Sequence, residues 1–257
     1  MSDMDWVVNF AAESHVDRSL ADASQFMRTN IEGVRTILEV ARDLKPQKIL
    51  HISTDEVYGP ILSGSVDESA ILKPSSPYSA SKAAADMLCN AYLVSFDVPI
   101  IIARSANNYG PYQYPEKLIP RFVALAMQNK NLPLYGDGKY VRDWLYVEDN
   151  CRALLLLLRK GEIGEIYNIG ASELHENIEI TETLLNILDK PIELLSHTGD
   201  RPGHDRRYCV DWSKIEKLGW KPRAKFFKKF EETILWYREK VEWWNKKADE
   251  AEKFYGR

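Results

Sequence analysis

A doubly wound α/β fold, a parallel sheet with helices on both faces and a smaller α/β lobe packed on it, is the architecture this sequence predicts. Three observations carry that reading. Short, almost wholly apolar runs such as Lys48 to Ile52 (KILHI) and Pro99 to Ala103 (PIIIA) have the character of strands buried on both faces. They alternate with helical stripes, which is the pattern of a parallel sheet. Beyond three successive strand ends lie the polar-rich segments AAESHVDRS, STDEVYG and RSANNYG. In open parallel sheets ligands bind past the carboxyl ends of the strands, so these segments are expected to meet in one crevice.

The elements follow in order. Trp6 to Ala12 (WVVNFAA) reads as a buried strand that begins abruptly, only a few residues into the sequence. Asn30 to Leu44 aligns Ile31, Val34, Leu38, Ala41 and Leu44 on one helical face, closed by Lys45-Pro46. KILHI is the next strand, Tyr78 to Ser95 a helix and PIIIA the third strand. From about Tyr109 the texture changes: YGPYQYPEKLIP and LPLYGDGKYVRDW are rich in Pro, Gly and aromatics, as loops of fixed shape are. A helix over Val147 to Arg159, a strand in EIYNIG, a helix near Ile180 to Leu188, the segment DRPGHDRRYCVD and a long helical stretch from about Phe226 complete the chain. Trp236, Trp243 and Trp244 are expected to pack that last stretch against the body.

The 257 residues, 45% apolar and 28% charged, suffice for a substantial core. A net charge of -4 offers no basic footprint for nucleic acid, and no run reaches the length of a membrane span. Any anionic ligand must therefore be held by local cations. The three cysteines, Cys89, Cys151 and Cys209, are far apart and odd in number, which points to the cytoplasm and away from disulfides or zinc. His15, His51, His175 and His197 show no metal-ligand spacing and read as structural or surface residues.

Two features can carry chemistry. In STDE, two carboxyls, Asp55 and Glu56, follow a hydroxyl at a strand end; a solvated turn is the common use of such a pair, a general acid beside a general base the sharper one. In Tyr78-Ser79-Ala80-Ser81-Lys82 the phenol and the ammonium share a helix face about 6 Å apart, so Lys82 is expected to lower the pKa of Tyr78 and make it a proton acceptor.

Taken together, AAESHVDRS, STDEVYG, YSASKAAAD, ANNYGPYQYPEKLIP, LPLYGDGKYVRDWLYVED, GEIYNIG and DRPGHDRRY resemble the dTDP-glucose 4,6-dehydratases, NAD-dependent members of the extended short-chain dehydrogenase/reductase superfamily. The resemblance runs from about Trp6 to the end of the chain. It implies a Rossmann-like sheet with an NAD-binding part over 1–108 and a mainly substrate-binding lobe over 109–257, interleaved with the sheet. It implies that Tyr78, helped by Lys82 and the Thr54 hydroxyl, takes the C4 hydroxyl proton of a dTDP-sugar. Glu56 then removes the C5 proton, and a protonated Asp55 donates to the departing C6 hydroxyl. The diphosphate falls to Lys117, Arg142 and Arg207, and Ser14 also touches the sugar. Asn107 and Glu116 fit the sugar and phosphate loop, Leu132, Pro133 and Leu134 the thymine slot. Asn177 and the loop Asp200, Arg201, Pro202, Gly203 and His204 close over the nucleotide. For NAD, Ala11, Ala12, Glu13 and Ser14 should lie along the pyrophosphate and ribose, Thr29 near the adenine half, and Tyr78, Lys82 and Asn108 near the nicotinamide.

A dinucleotide site of this kind also uses a glycine fingerprint after the first strand and an acidic residue after the second, and neither is present in the sequence. Trp6 to Ala12 matches the family's fourth strand, so about two and a half βα units of roughly 30 residues each, on the order of 75 residues, are expected to be missing before it. On that reading this polypeptide alone binds NAD weakly or not at all. Competing readings are a related 4,6-dehydratase of GDP- or UDP-sugars, a 4-epimerase, against which TDE, KLIP and DRPGH count, and a silent fragment that only pairs through its helices. A homodimer through a four-helix contact of residues 30–44 and 78–95 is expected in either case.

Overall fold

The computed structural model describes residues 5–255. Nine strands, β1 (Trp6–Asn9), β2 (Lys48–Thr54), β3 (Ile100–Ser105), β4 (Asn107–Tyr109), β5 (Leu132–Tyr135), β6 (Val141–Tyr146), β7 (Ile166–Ile169), β8 (Leu174–Glu176) and β9 (Leu195–Thr198), form three sheets among the described residues. The main sheet has the order β1-β2-β3-β7 and is parallel throughout. In the second, β6 lies parallel to β4 and antiparallel to β8; in the third, β5 pairs with β9.

The helices are α1 (Val16–Ala21), α2 (Ser24–Phe26), α3 (Gly33–Leu44), α4 (Pro77–Phe96), α5 (Leu118–Met127), α6 (Val147–Lys160), α7 (Asn177–Ile187), α8 (Ser213–Lys217), α9 (Phe226–Glu239) and α10 (Val241–Tyr255). The two sides of the main sheet bury alternate strand residues, as the period of two requires. Ile49, Ile100 and Ile102 meet Val34, Leu38, Ala85 and Cys89 of α3 and α4. Leu50, Ile101 and Ala103 meet Ala153, Leu154 and Leu157 of α6. Thus α6 and β7, from the second half of the chain, complete the layers begun by the first. A third core, built on Phe122, Leu132, Leu134, Leu184 and Phe230, belongs to the lobe beside the sheet.

Three local expectations change. The first strand ends at Asn9 rather than Ala12, and Trp6 and Phe10 are 44% and 63% exposed, because β1 has a neighbour on one side only among the described residues. The helix expected from Asn30 starts earlier, as a wide π-helical turn over Met27–Glu32. That turn carries the buried Asn30 side chain inward, where it accepts from Glu13 N–H (2.8 Å) and donates to Glu13 C=O (3.0 Å) and Ser81 Oγ (2.8 Å). The terminal stretch breaks at Lys240 into α9 and α10, and the Trp244 indole donates to Tyr237 C=O at 2.7 Å across the bend.

Candidate active site

β2 ends by running straight into a tight 3-10 turn, Asp55–Tyr58. The Thr54 hydroxyl starts that turn, accepting from Glu56 N–H and donating to Asp55 Oδ1, both at 3.3 Å. Gly59 ends it with φ of 73°, and an added Cβ there would meet Lys73 C=O at 2.2 Å. The turn therefore presents Asp55 and Glu56 past the carboxyl end of the sheet. α4 brings Tyr78 to the same place: Pro77 opens the helix and Ser76 caps it in a reciprocal capping box with Ser79.

These residues line a cavity of about 500 Å³, large enough for a nucleotide sugar. Ser14, Thr54, Asp55, Glu56 and Tyr78 form its floor with Asn107 and Asn108; Glu116, Lys117, Pro133, Leu134, Arg142, Asn177, Arg201 and His204 form its walls. Ala11, Ala12, Glu13 and Thr29 lie outside the lining, the first three just past β1 and Thr29 in the Met27–Glu32 turn. Lys82 is buried just beneath it, donating to Ile52 C=O at 2.7 Å.

The surroundings of the two carboxyls differ. Asp55 is 2% exposed, and its Oδ2 is buried without a hydrogen-bond partner. Burial, then the charges of Glu56 and Asp143, push its pKa well above the ordinary carboxyl range. Burial also raises Glu56, but Arg201, Arg142 and Lys117 pull it back. The pair is thereby split into a group that holds its proton and a group that gives it up more readily.

Tyr78 departs from expectation. Its pKa is raised, by burial and then by Glu56, rather than lowered. Lys82 follows one helical turn later on α4, but burial beside Phe26 and the charges of Glu56 and Asp55 set the direction. Two binding residues are also placed differently. Leu132 is fully buried in the lobe core, since strand alternation gives the cavity to Pro133 and leaves Tyr135, with Leu134, to extend the slot. Arg207 faces away, its guanidinium donating to Ile61 and Gly64 carbonyls at 2.9 and 2.7 Å. Arg201 stands in the cavity in its stead, donating to Asp17 Oδ1 at 3.0 Å, with its Nε buried and unpartnered. Asp200, Pro202 and Gly203 stay behind the wall; Asp200 braces it, bonded to Tyr140 and to His204 Nδ1.

Lys117 donates to Ser14 C=O at 2.6 Å, and Arg142 lies over the Tyr208 ring at 4.4 Å. Burial lowers the pKa of both. Oδ1 of Asn107, Asn108 and Asn177 are buried with no partner, so each can accept from a ligand. The free Oδ1 of Asn108, in the cavity that Tyr78 also lines, fits the nicotinamide end of NAD. Among the described residues no turn with several glycines leads from this sheet into a helix, so the fit extends to that end alone.

Several lining residues were given no part in the site by the sequence: Asp17, His15, Arg121 and Tyr255 above all. Asp17 gathers Arg201, the Tyr135 hydroxyl (3.1 Å) and the Tyr255 hydroxyl (3.3 Å). His15, read as structural or surface, is buried and lines the cavity; its Nδ1 accepts from Arg18 N–H, leaving the proton on Nε2, 2.8 Å from Tyr255 Oη. Arg121 lies 3.4 Å from the Tyr255 ring centre and pairs with Glu252 at 2.6 Å, which seats α10 over the cavity. His15 and Asp17 sat within the quoted AAESHVDRS motif; Tyr255 carried no local signal.

Comparison with known proteins gives one consistent result. The model of the GDP-mannose 4,6 dehydratase family matches residues 1–233. The low-salt glycan biosynthesis protein Agl12 of Haloferax volcanii is 47% identical over 92% of this chain and 76% of its own length. A dTDP-glucose 4,6-dehydratase of an Actinoplanes species is 45% identical over 95% of this chain and 77% of its own. The crystal structure of DesIV, a dTDP-glucose 4,6-dehydratase from Streptomyces venezuelae with NAD bound, superposes with a TM-score of 0.93 at 48% identity, covering 95% of this chain and 76% of that one.

Proposed function

The chain belongs to the GDP-mannose 4,6 dehydratase family, and from that premise we propose that it is a dTDP-glucose 4,6-dehydratase. Its reaction oxidises C4 of dTDP-glucose, eliminates water across C5 and C6, and gives dTDP-4-keto-6-deoxyglucose. The observation that carries this reading is the split carboxyl pair facing the cavity. Epimerising C4 of a sugar has no use for a second carboxyl; removing water needs one group that accepts a proton and one that donates it.

NAD, when bound, supplies the hydride acceptor at C4 and the hydride donor at C6. The residues that would hold it are Tyr78, Lys82, Ser14 and Asn108 at the nicotinamide end, with Ala11, Ala12, Glu13 and Thr29 toward the rest. The chain's own groups handle protons. Tyr78, steered by Thr54 and ionised with help from the Lys82 ammonium and the cationic nicotinamide ring that would stand beside it, accepts the proton of the C4 hydroxyl as the phenolate. Glu56 takes the C5 proton, acidified by the adjacent ketone, and Asp55 delivers its proton to the C6 oxygen as water leaves. Lys117, Arg142 and Arg201 neutralise the diphosphate, and Pro133, Leu134 and Tyr135 receive the base. Asn107, Glu116, Asn177 and His204 orient the sugar and close the wall.

α3 and α4 present the exposed side chains Val40, Leu44, Met87, Val94 and Phe96, which support a homodimer built on a four-helix contact. The free thiols of Cys89, Cys151 and Cys209 suit a reducing cytoplasm, and among the described residues no helix is long and apolar enough to cross a membrane.

Incubating the purified chain with NAD and dTDP-glucose, GDP-mannose or UDP-glucose, while measuring NAD affinity in parallel, tests the proposal. Formation of a 4-keto-6-deoxy sugar from dTDP-glucose is expected at NAD concentrations high enough to fill a site that fits the cofactor at its nicotinamide end alone. A 4-epimer in its place, or dTDP binding without turnover when NAD is bound, overturns it.

A further inference from the structure

A polar row crosses the main sheet beneath α4. It runs from Asn9 on β1 through His51 and Ser53 on β2 and Arg104 on β3 to Asn168 on β7, and strand register pairs Asn9 with His51, Ser53 with Arg104, and Arg104 with Asn168. Asp86 enters this row from α4 and is fully buried. Its Oδ2 accepts from Arg104 Nε at 2.9 Å, and its Oδ1 lies 3.8 Å from His51 Nε2. Arg104 in turn donates to the Tyr58 hydroxyl at 2.8 Å, which donates to Asn168 Oδ1 at 2.8 Å.

Burying an ion pair costs several kcal/mol per ion, and an apolar pair of the same volume often serves the fold as well. The dehydration chemistry touches none of these groups. Their position supplies a reason for them: Tyr78, Lys82 and Asp86 stand at successive turns of one face of α4, so the anion lies one turn behind the ammonium. Lys82 is 4% exposed, and burial alone drives a lysine toward the neutral amine. Here burial does lower its pKa, and Asp86 is the largest opposing influence.

We propose that Asp86, fixed by Arg104, is a positioning residue that keeps the Lys82 ammonium charged beneath the cavity, so that Tyr78 keeps a cation beside it when it accepts a proton. The other groups around Lys82 cannot do this. His51 is held neutral, by burial and then by Lys82 itself. Burial keeps Cys89 a thiol. Arg104 is a cation and Tyr58, hydrogen-bonded to it, is kept a phenol by burial. Asp55 and Glu56 act on Tyr78 from the cavity side, and Ser19 and Asn30, which meet α4 from the other flank, are neutral.

This inference rests on the reading of Tyr78 and Lys82 as the proton-accepting pair, and its test needs neither NAD nor substrate, so its failure is distinct from an absence of turnover. The side-chain carbon resonance of Lys82 in protein labelled with 13C-lysine, assigned with Lys82→Met, is titrated with pH. In the unsubstituted protein Lys82 is expected to remain an ammonium at neutral pH, whereas buried lysines without a counter-ion titrate at about 5–6. Asp86→Asn, and the double variant Asp86→Asn/Arg104→Gln that leaves no orphaned guanidinium behind, are expected to lower that midpoint by about one pH unit or more. A midpoint near 6 in the unsubstituted protein, or an unchanged one in a folded variant, overturns the proposal.

Discussion

Asp55 and Glu56 are joined by one peptide bond yet face unlike surroundings: Asp55 Oδ2 is buried with no partner, while Glu56 lies under the influence of Arg201, Arg142 and Lys117. Glu56→Gln is therefore expected to abolish exchange of the C5 proton with deuterated solvent. Asp55→Asn should retain that exchange and lose water elimination, each variant falling about 10²–10⁴-fold in product formation. Asp55 works protonated, so activity should decline as pH rises through its raised pKa. Glu56 works ionised, so activity should decline as pH falls through its own. Mass spectrometry of recovered substrate separates the two variants, and identical exchange in both would remove the division of roles.

Arg201 and Arg207 stand in one loop and point to opposite sides of it. Arg201→Gln should weaken dTDP binding about tenfold or more, since it removes a charge-assisted contact to phosphate. Arg207→Gln should change affinity by less than about threefold while lowering stability, because its partners are the carbonyls of Ile61 and Gly64. Calorimetric titration with dTDP distinguishes them.

His15 gives stability a pH dependence of known sign. Burial, reinforced by Lys117, lowers its pKa to about 4, below the ordinary 6.5. Between those values the unfolded chain binds the proton and the folded one does not, so stability is complete above pH 6.5 and is lost as pH falls toward 4. The loss from this group is at most about 3 kcal/mol. Urea unfolding at pH 7, 6 and 5 should show that slope, and His15→Gln should flatten it.

Gly59 is expected to tolerate no side chain. Gly59→Ala should cost at least about 2 kcal/mol, through the left-handed φ of 73° and the clash with Lys73 C=O. Thermal unfolding measures the cost. Product formation should fall even at temperatures where the variant is folded, because the Asp55–Tyr58 turn has moved.

Most of the layered fold was legible because its signals are local and periodic: KILHI and PIIIA read as buried strands, and the polar segments after them do line one crevice. The pairing of Asp55 with Glu56 needed only the end of a strand. What escaped depended on the third dimension. Alternation along β5 turns Leu132 inward, which the run LPL conceals. Arg201 and Arg207 are chemically alike, and the bridge of Val141 to Arg207 with the Ile61 and Gly64 carbonyls holds Arg207 out of the cavity that Arg201 lines. The pKa of Tyr78 follows from burial and from Glu56, neither of which its spacing to Lys82 reveals. The wide turn at Met27–Glu32 answers to Asn30 and its partners on other segments.

The contact of His15 with Tyr255 joins residues 240 positions apart. Tyr255 follows every other lining residue in the chain, so a ribosome making this protein finishes that part of the wall last. Closing so long a loop costs more conformational entropy than forming the hairpins and helices within it, and contacts of this separation form late. A nascent chain can therefore carry a folded sheet with Asp55, Glu56 and Tyr78 in place while the nucleotide still has an open side through which to leave. Competence to retain substrate arrives after the catalytic floor does, and nucleotide retention becomes a readout of α10 having folded back over the cavity.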